Sequence, residues 1–201
     1  MNRKPRGRPR SFDTESVLDK TAELFWRKGF DSTSLDDIVA VTGVARPSLA
    51  AAFGGKEAMY LLVLRRFSGR IAQIFTQSVL GGKTLSGGLN RYFAQLIDIY
   101  TADQQQPGGC MLFSTAIVNA PQYPAIRAEL AENTKALDAT FESVFKTAQT
   151  RGEVDKTKDV ALLASLVTAI HLSLSIRARA GLGRSALKTL ARKQIAALLE
   201  T

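Results

Sequence analysis

The chain is 201 residues long, 45% hydrophobic and 7% aromatic, with a formal net charge of +9 and a single cysteine. That length allows one domain, or a small domain continuous with a larger one, each with a buried core. One cysteine excludes an intramolecular disulfide, the basic balance favours a polyanionic partner, and the most apolar span, residues 160–176, is shorter than the roughly 20 apolar residues that cross a bilayer.

The basic excess is concentrated at one end. Residues 1–10 hold Arg3, Lys4, Arg6, Arg8 and Arg10 and no acid, leaving +4 for the other 191 residues. This arm is too charged and too rich in proline to fold alone. Its centre, Pro5-Arg6-Gly7-Arg8-Pro9, resembles the core of an AT-hook, whose arginines follow a narrow A·T minor groove where negative potential is concentrated. A solvated leader with non-specific phosphate attraction is the alternative. The arm lacks the apolar segment of a signal peptide, so a cytoplasmic location is expected.

Helix one is expected from about Thr14 to Lys28, capped by Asp13 and burying Val17, Leu18, Leu24 and Phe25 at the 3.6-residue period. Gly29 suits a left-handed position that lets Phe30 fold back onto Phe25. Ser34, with Asp37 three residues on, has the form of a capping box and opens a short helix with Leu35, Ile38 and Val39 on one face. Gly43 allows a tight turn with Val44 behind it. A second short helix restarts at once, with Pro47 in its first turn and Leu49 and Phe53 four residues apart. Such a helix-turn-helix places its second helix for entry into a DNA major groove.

A long helix from Lys56 to about Leu80 carries Met59, Leu62, Val63, Phe67, Ile71, Ile74 and Phe75. At about 36 Å it outreaches the small unit and must link that unit to the rest. Gly81-Gly82-Lys83 and Gly87-Gly88 suggest a flexible connection, followed by helices at about Leu89–Thr101, Cys110–Asn119 and Pro124–Thr150. The last two, about Lys158–Ala180 and Arg184–Leu199, are apolar on more than one side. Val160, Leu163, Ala164, Val167, Ile170, His171 and Leu174 form one stripe, and Leu162, Leu166, Ala169, Leu172 and Ile176 another. The final helix adds Leu187, Leu190, Ala191, Ile195 and Leu198. A helix apolar nearly all round must be covered on both sides. A four-helix bundle with a second copy is therefore expected, against the alternative of a monomer with a thick core. The fold class is all-α.

No catalytic set assembles. His171 and Cys110 are the only residues of their types and lie far apart in sequence, and no metal-ligand spacing is present. Gly82-Lys83-Thr84 is not the end of a phosphate-binding loop, because Gln77 stands where that motif needs glycine. No enzymatic activity, metal or cofactor is expected.

Thr33-Ser34-Leu35-Asp36-Asp37-Ile38, Gly43-Val44, Pro47-Ser48-Leu49 and Phe53-Gly54-Gly55-Lys56-Glu57-Ala58 together resemble the DNA-binding signature of the TetR family of bacterial transcriptional regulators. The resemblance covers residues 11–60 closely and the remainder as a succession of helices. Gly109-Cys110-Met111 and the break at Ala120-Pro121 are also similar to one subgroup of the family. It implies a basic arm (1–10), a three-helix helix-turn-helix domain (11–55) and a larger helical domain for ligand binding and dimerisation (56–201). The implied function is a homodimeric repressor, bound to a near-palindromic double-stranded DNA operator and released by a small-molecule effector, with no membrane partner. An activator of the same fold is one alternative, and an architectural protein that coats DNA is another.

The resemblance further implies DNA contacts from Thr33, Ser34, Ala45, Arg46, Pro47, Ser48, Ala50, Ala51 and Lys56, to which the arm adds Arg6, Arg8 and Arg10. Arg46 can reach guanine O6 and N7, and Lys56 adds its charge to a helix N-terminus. Two positions depart from the family pattern. Ala45 replaces a capping Ser or Thr, a loss of about 1 kcal/mol. Ala50 replaces a commonly phosphate-binding tyrosine, and, natural or introduced, it leaves Ala50-Ala51-Ala52 presenting only methyl groups. Affinity is then expected to rest on Arg46, Lys56 and the arm, and to depend strongly on salt. Candidates for the effector pocket are Phe75, Tyr92, Phe93, Met111, Phe113, Phe141, Phe145 and His171. Cys110 as an oxidation-sensing thiol is a further alternative.

Overall fold

The structure, a computed structural model, describes residues 12–103 and 108–200; the expected arm contacts Arg6, Arg8 and Arg10 lie outside the described residues. All regular elements among the described residues are helical. The chain divides into two compact units after Val63.

The first unit opens with α1 (Thr14–Lys28), whose N-terminus is capped by the Asp13 carboxylate accepting from the Glu15 amide at 3.0 Å. Its buried residues are Val17, Leu18, Thr21 and Phe25, so Thr21 takes the place expected for Leu24, which is only half-buried. Thr21 tolerates full burial because its hydroxyl donates to the Val17 carbonyl at 2.7 Å. Gly29 adopts φ 79° and donates to the Phe25 carbonyl, bringing Phe30 to 6.1 Å from Phe25. Tyr60 completes this cluster at 4.9 Å from both rings. The short helices α2 (Leu35–Thr42) and α3 (Arg46–Phe53) follow, then α4 (Lys56–Phe75). Met59, Tyr60 and Val63 of α4 are buried, whereas Leu62, expected in its apolar stripe, is 37% exposed.

In the second unit α4 ends in a π-helical turn, Thr76–Leu80, and α5 spans Leu85–Tyr100. The helix starts earlier than the expected Leu89, because the Thr84 hydroxyl caps the Gly87 amide at 3.2 Å. Gly87 and Gly88 are therefore the first turns of a helix and not a loop. Gly88 serves packing: a Cβ there would stand 3.0 Å from the Val79 Cα. A π-helical turn, Leu112–Ala116, runs into the short α6 (Ile117–Asn119), and α7 (Pro124–Thr150), α8 (Val160–Arg179) and α9 (Arg184–Glu200) complete the unit.

The α8 helix is long and apolar enough to cross a membrane by composition alone, contrary to the reading of residues 160–176 as too short. Its apolar residues have other work, since Leu163, Ala164, Val167, Ile170 and Leu174 are buried in this fold and α8 packs on α7 and α9. The α9 helix is pinned to α5 by Lys188 and Arg184, which reach Asp98 at 2.7 and 3.5 Å. That docking corrects half of the expected dimer stripe. Leu187, Ala191, Ile195 and Leu198 are buried by this chain's own helices and cannot face a second copy.

Candidate DNA-binding surface and effector cavity

In the first unit the turn between α2 and α3 is set by local chemistry. Ser34 and Asp37 close a full capping box: the Ser34 hydroxyl accepts from the Asp37 amide at 3.0 Å, and the Asp37 carboxylate accepts from the Ser34 amide at 2.8 Å. Lys28 at the end of α1 donates to the same carboxylate at 2.8 Å, which holds the Asp37 pKa down to about 2, with the Ser34 bonds adding to the shift. Gly43 ends α2 in the left-handed conformation, φ 73° and ψ 8°. A Cβ there would meet nothing within 4 Å, so the residue is chosen for its backbone and not for space.

The turn leaves α3 with two unlike sides. Leu49 and Phe53 are buried, and Phe53 packs 6.3 Å from Phe12. Ala45, Arg46, Pro47, Ser48, Ala50 and Ala51 are exposed together. Ala45 provides no side-chain cap, but Pro47 has no amide hydrogen to satisfy and the Ser48 and Leu49 amides both donate to the Ala45 carbonyl, at 3.0 and 3.1 Å. Arg46 reaches back across the turn to pair with Asp36 through both ends of its guanidinium, its Nε donating at 2.9 Å. Ser34 is exposed but engaged in its cap. Two expected contacts sit differently. Thr33 is fully buried, with its hydroxyl donating to the Gly29 carbonyl at 2.6 Å, so it supports the turn and offers DNA nothing. Lys56 is half-buried: its ammonium lies 4.2 Å over the Phe30 ring and donates to the Phe30 carbonyl at 3.0 Å.

The second unit contains a half-open cavity of about 150 Å³ lined from α4, α5, α7, α8 and the segment around Cys110, with exposed Ala72, Ala136 and Thr140 at its edge. Of the eight expected pocket residues, Phe75, Tyr92, Phe113 and His171 line it. Phe93, Met111, Phe141 and Phe145 do not; they are buried behind the wall, where Phe141 packs edge-on at 5.2 Å against Phe75 and Phe93 at 5.0 Å against His171. Five polar lining residues were missed: Ser68, Tyr100, Asn133, Thr140 and Cys110 as a wall residue. Tyr100 was legible two helical turns after Tyr92 on one face of α5, and Asn133 and Thr140 likewise sit seven residues apart on α7.

Burial governs the chemistry of this wall. It pushes the Cys110 thiol and the Tyr92 and Tyr100 phenols up, and it pushes the His171 imidazole down to about 3. Each therefore sits uncharged at neutral pH. A thiol raised this way is a poor redox sensor, which weakens the oxidation alternative for Cys110. The segment carrying Cys110 is docked tightly, because Gly109 has φ 65° and a Cβ there would stand 2.6 Å from the Ser175 carbonyl. The Cys110 amide donates to the Ser175 hydroxyl at 2.8 Å. Among the described residues no cluster of three or more His, Cys, Asp or Glu is placed to hold a metal ion.

On α8, Leu162, Leu166 and Ile176 are 55%, 41% and 58% exposed, and with Ala169 they keep a spacing of three and four along one exposed line. Leu172 and Leu190 are half-buried beside it.

Comparison with known proteins adds the following. The profile described as bacterial regulatory proteins, tetR family, matches residues 17–63, and that described as tetracyclin repressor-like, C-terminal domain, matches residues 88–194. The HTH-type transcriptional repressor ComR of Escherichia coli (strain K12) is 33% identical over 184 residues, 89% of this chain and 85% of its own. A cysteine variant of the TetR family transcriptional regulator CifR, complexed with 26 bp double-strand operator DNA, superposes with a TM-score of 0.86 at 24% identity, covering 95% of this chain and 99% of that one. A TetR transcriptional regulator from Chloroflexus aurantiacus J-10-FL gives 0.80 at 23% identity, covering 93% of each chain.

Proposed function

The chain belongs to the TetR family of bacterial transcriptional regulators, and from that premise we propose that it is a repressor that grips a near-palindromic operator as a homodimer and lets go when a small molecule fills its cavity. DNA binding and a regulatory, non-enzymatic role come with the family. The observation that carries the finer reading is the exposed side of α3, where Arg46, Pro47 and Ser48 stand at an uncapped helix start. The positive end of the α3 dipole, reinforced by the Arg46 charge, suits a backbone phosphate. Arg46 exchanges Asp36 for a guanine edge, Ser48 donates to a base or phosphate, and the methyls of Ala50 and Ala51 touch thymine methyls. Lys56 and the arm arginines add phosphate attraction. The repressor sign follows the relative ComR, and operator binding follows CifR.

The dimer surface is the narrowed α8 line, Leu162, Leu166, Ala169 and Ile176, since contiguous exposed leucines at this spacing seek a partner. DNA as the target puts the protein in the cytoplasm.

Selection of bound sequences from a random DNA pool, followed by footprinting, tests the reading. One short palindrome is expected; continuous cover without a preferred site would support coating and overturn it. Sedimentation of the wild type and of Leu166→Glu tests the assembly, with a dimer that becomes a monomer expected and an unchanged mass refuting the surface.

A further inference from the structure

The two atoms of the cavity wall that the protein leaves without a partner describe what belongs there. Buried polar groups are nearly always hydrogen-bonded, and an exception asks for a reason. Tyr92 is fully buried and His171 is 2% exposed, both line the cavity, and neither the Tyr92 hydroxyl nor His171 Nε2 has a hydrogen-bond partner among the described residues. Their ring centroids are 5.3 Å apart, close enough for one small ligand to touch both side chains.

The geometry points to an uncharged effector the size of a single benzene ring, bearing one hydroxyl or carbonyl oxygen that bonds Tyr92 and His171. This rests on the reading of the cavity as the effector site.

Size comes first. The cavity holds about 150 Å³, and an engineered apolar cavity of about that volume in another protein takes benzene. Charge comes second. Among the described residues no Asp, Glu, Lys or Arg lines the wall, so a carboxylate or ammonium would lose part of its hydration with no counter-ion to replace it. Polarity comes third. His171 Nδ1 faces the Tyr100 hydroxyl at 3.5 Å, and an uncharged imidazole has one donor and one acceptor nitrogen. If Tyr100 donates to Nδ1, Nε2 carries the hydrogen and donates into the cavity; in the other tautomer it accepts. The Tyr92 hydroxyl can do either. A ligand hydroxyl satisfies both arrangements, and a carbonyl oxygen satisfies the first. Shape comes last: Phe75 and Tyr92 stand edge to face at 5.8 Å with Phe113 on the same wall, surroundings that suit a flat ring.

Calorimetric titration of the full-length protein at neutral pH tests this with benzyl alcohol, phenol and benzaldehyde against toluene and benzoate. The oxygenated neutral molecules are expected to bind, toluene about a hundredfold more weakly for want of two neutral hydrogen bonds, and benzoate not measurably. Tyr92→Phe keeps the ring and removes only the hydroxyl. It should weaken benzyl alcohol about tenfold and leave toluene unchanged, so toluene reports that the cavity is intact. Benzoate binding as tightly as benzyl alcohol, toluene binding as tightly, no binding by any of the three, or an affinity for benzyl alcohol unaffected by Tyr92→Phe would each overturn the assignment. Operator release is read separately by fluorescence anisotropy. Benzyl alcohol that binds without releasing DNA refutes the cavity as an effector site while leaving the ligand chemistry standing; release by a charged molecule with no binding of neutral ones does the reverse.

Discussion

The outer side of α3 and the wall of the cavity are incomplete in opposite ways. The α3 surface has charge but little polar reach: one arginine, one serine and a run of methyl groups, all exposed. The cavity wall has polar atoms but no charge, and two of them, the Tyr92 hydroxyl and His171 Nε2, are buried without a partner among the described residues. A surface of the first kind is completed by a polyanion, whose attraction is long-ranged and weakened by salt. A cavity of the second kind is completed by a small neutral molecule, whose binding depends on fit and is nearly indifferent to salt. One chain thus answers to two chemistries that do not compete.

The comparison breaks most sharply at Gly109. Gly109→Ala puts a methyl against the Ser175 carbonyl in a left-handed conformation, and should destabilise the protein by about 3 kcal/mol. Urea unfolding checks this, and an unchanged midpoint would show that the close approach is not needed. Arg46→Ala acts on the other region, and a loss of about 2 kcal/mol in operator affinity is expected, with relaxed preference at one base. Loss spread equally over all DNA sequences would make Arg46 a phosphate contact instead.

Acidity separates the regions further. Burial holds the His171 imidazole down to about 3, against its ordinary value of 6.5. The unfolded chain takes up a proton as pH falls through 6.5 and the folded chain does not. The associated stability is present above 6.5 and drains away between 6.5 and 3, amounting to about 2 kcal/mol from pH 7 to pH 5. Asp37 in the first unit is depressed to about 2, so its contribution is retained above its unfolded value of 3.8 and lost only as pH falls toward 2. Chemical denaturation at several pH values should show a slope near pH 6 that His171→Phe flattens; a slope unchanged in that variant would assign it elsewhere. The smallest effect is expected at the α3 surface, where Ala50→Tyr supplies a hydroxyl for a phosphate. Operator binding should tighten by about 1 kcal/mol in a titration, and unchanged affinity would mean that the alanines are not what limits contact.

What could be read from the sequence was what local chemistry decides. Asp13, the Ser34 and Asp37 box, Gly43, and the span Pro124–Thr150 all stand as expected, because a cap or a breaker acts within a few residues. Errors came where distant segments decide. Gly87-Gly88 looks like a linker until Val79 is seen pressing on it. The apolar stripe of α9 was visible, but periodicity cannot say that α5 covers it and not a second copy. Thr33 falls inside a surface motif and yet is turned inward onto Gly29. Three aromatic candidates for the cavity and Met111 do not line it, because a stripe identifies what is buried and not what borders empty space.

The pairing of Arg46 with Asp36 bears on how the protein searches. Off DNA the guanidinium is already paired with the Asp36 carboxylate, both side chains being more than half exposed. Engaging a guanine is thus an exchange of partners, in which a protein anion is displaced where a bare arginine would have displaced only mobile ions. An ion pair this exposed contributes about 1 kcal/mol or less, so the exchange is cheap wherever the arginine meets DNA. Removing Asp36 should raise affinity for all DNA by a similarly small amount, because a carboxylate beside the reading arginine repels every phosphate alike.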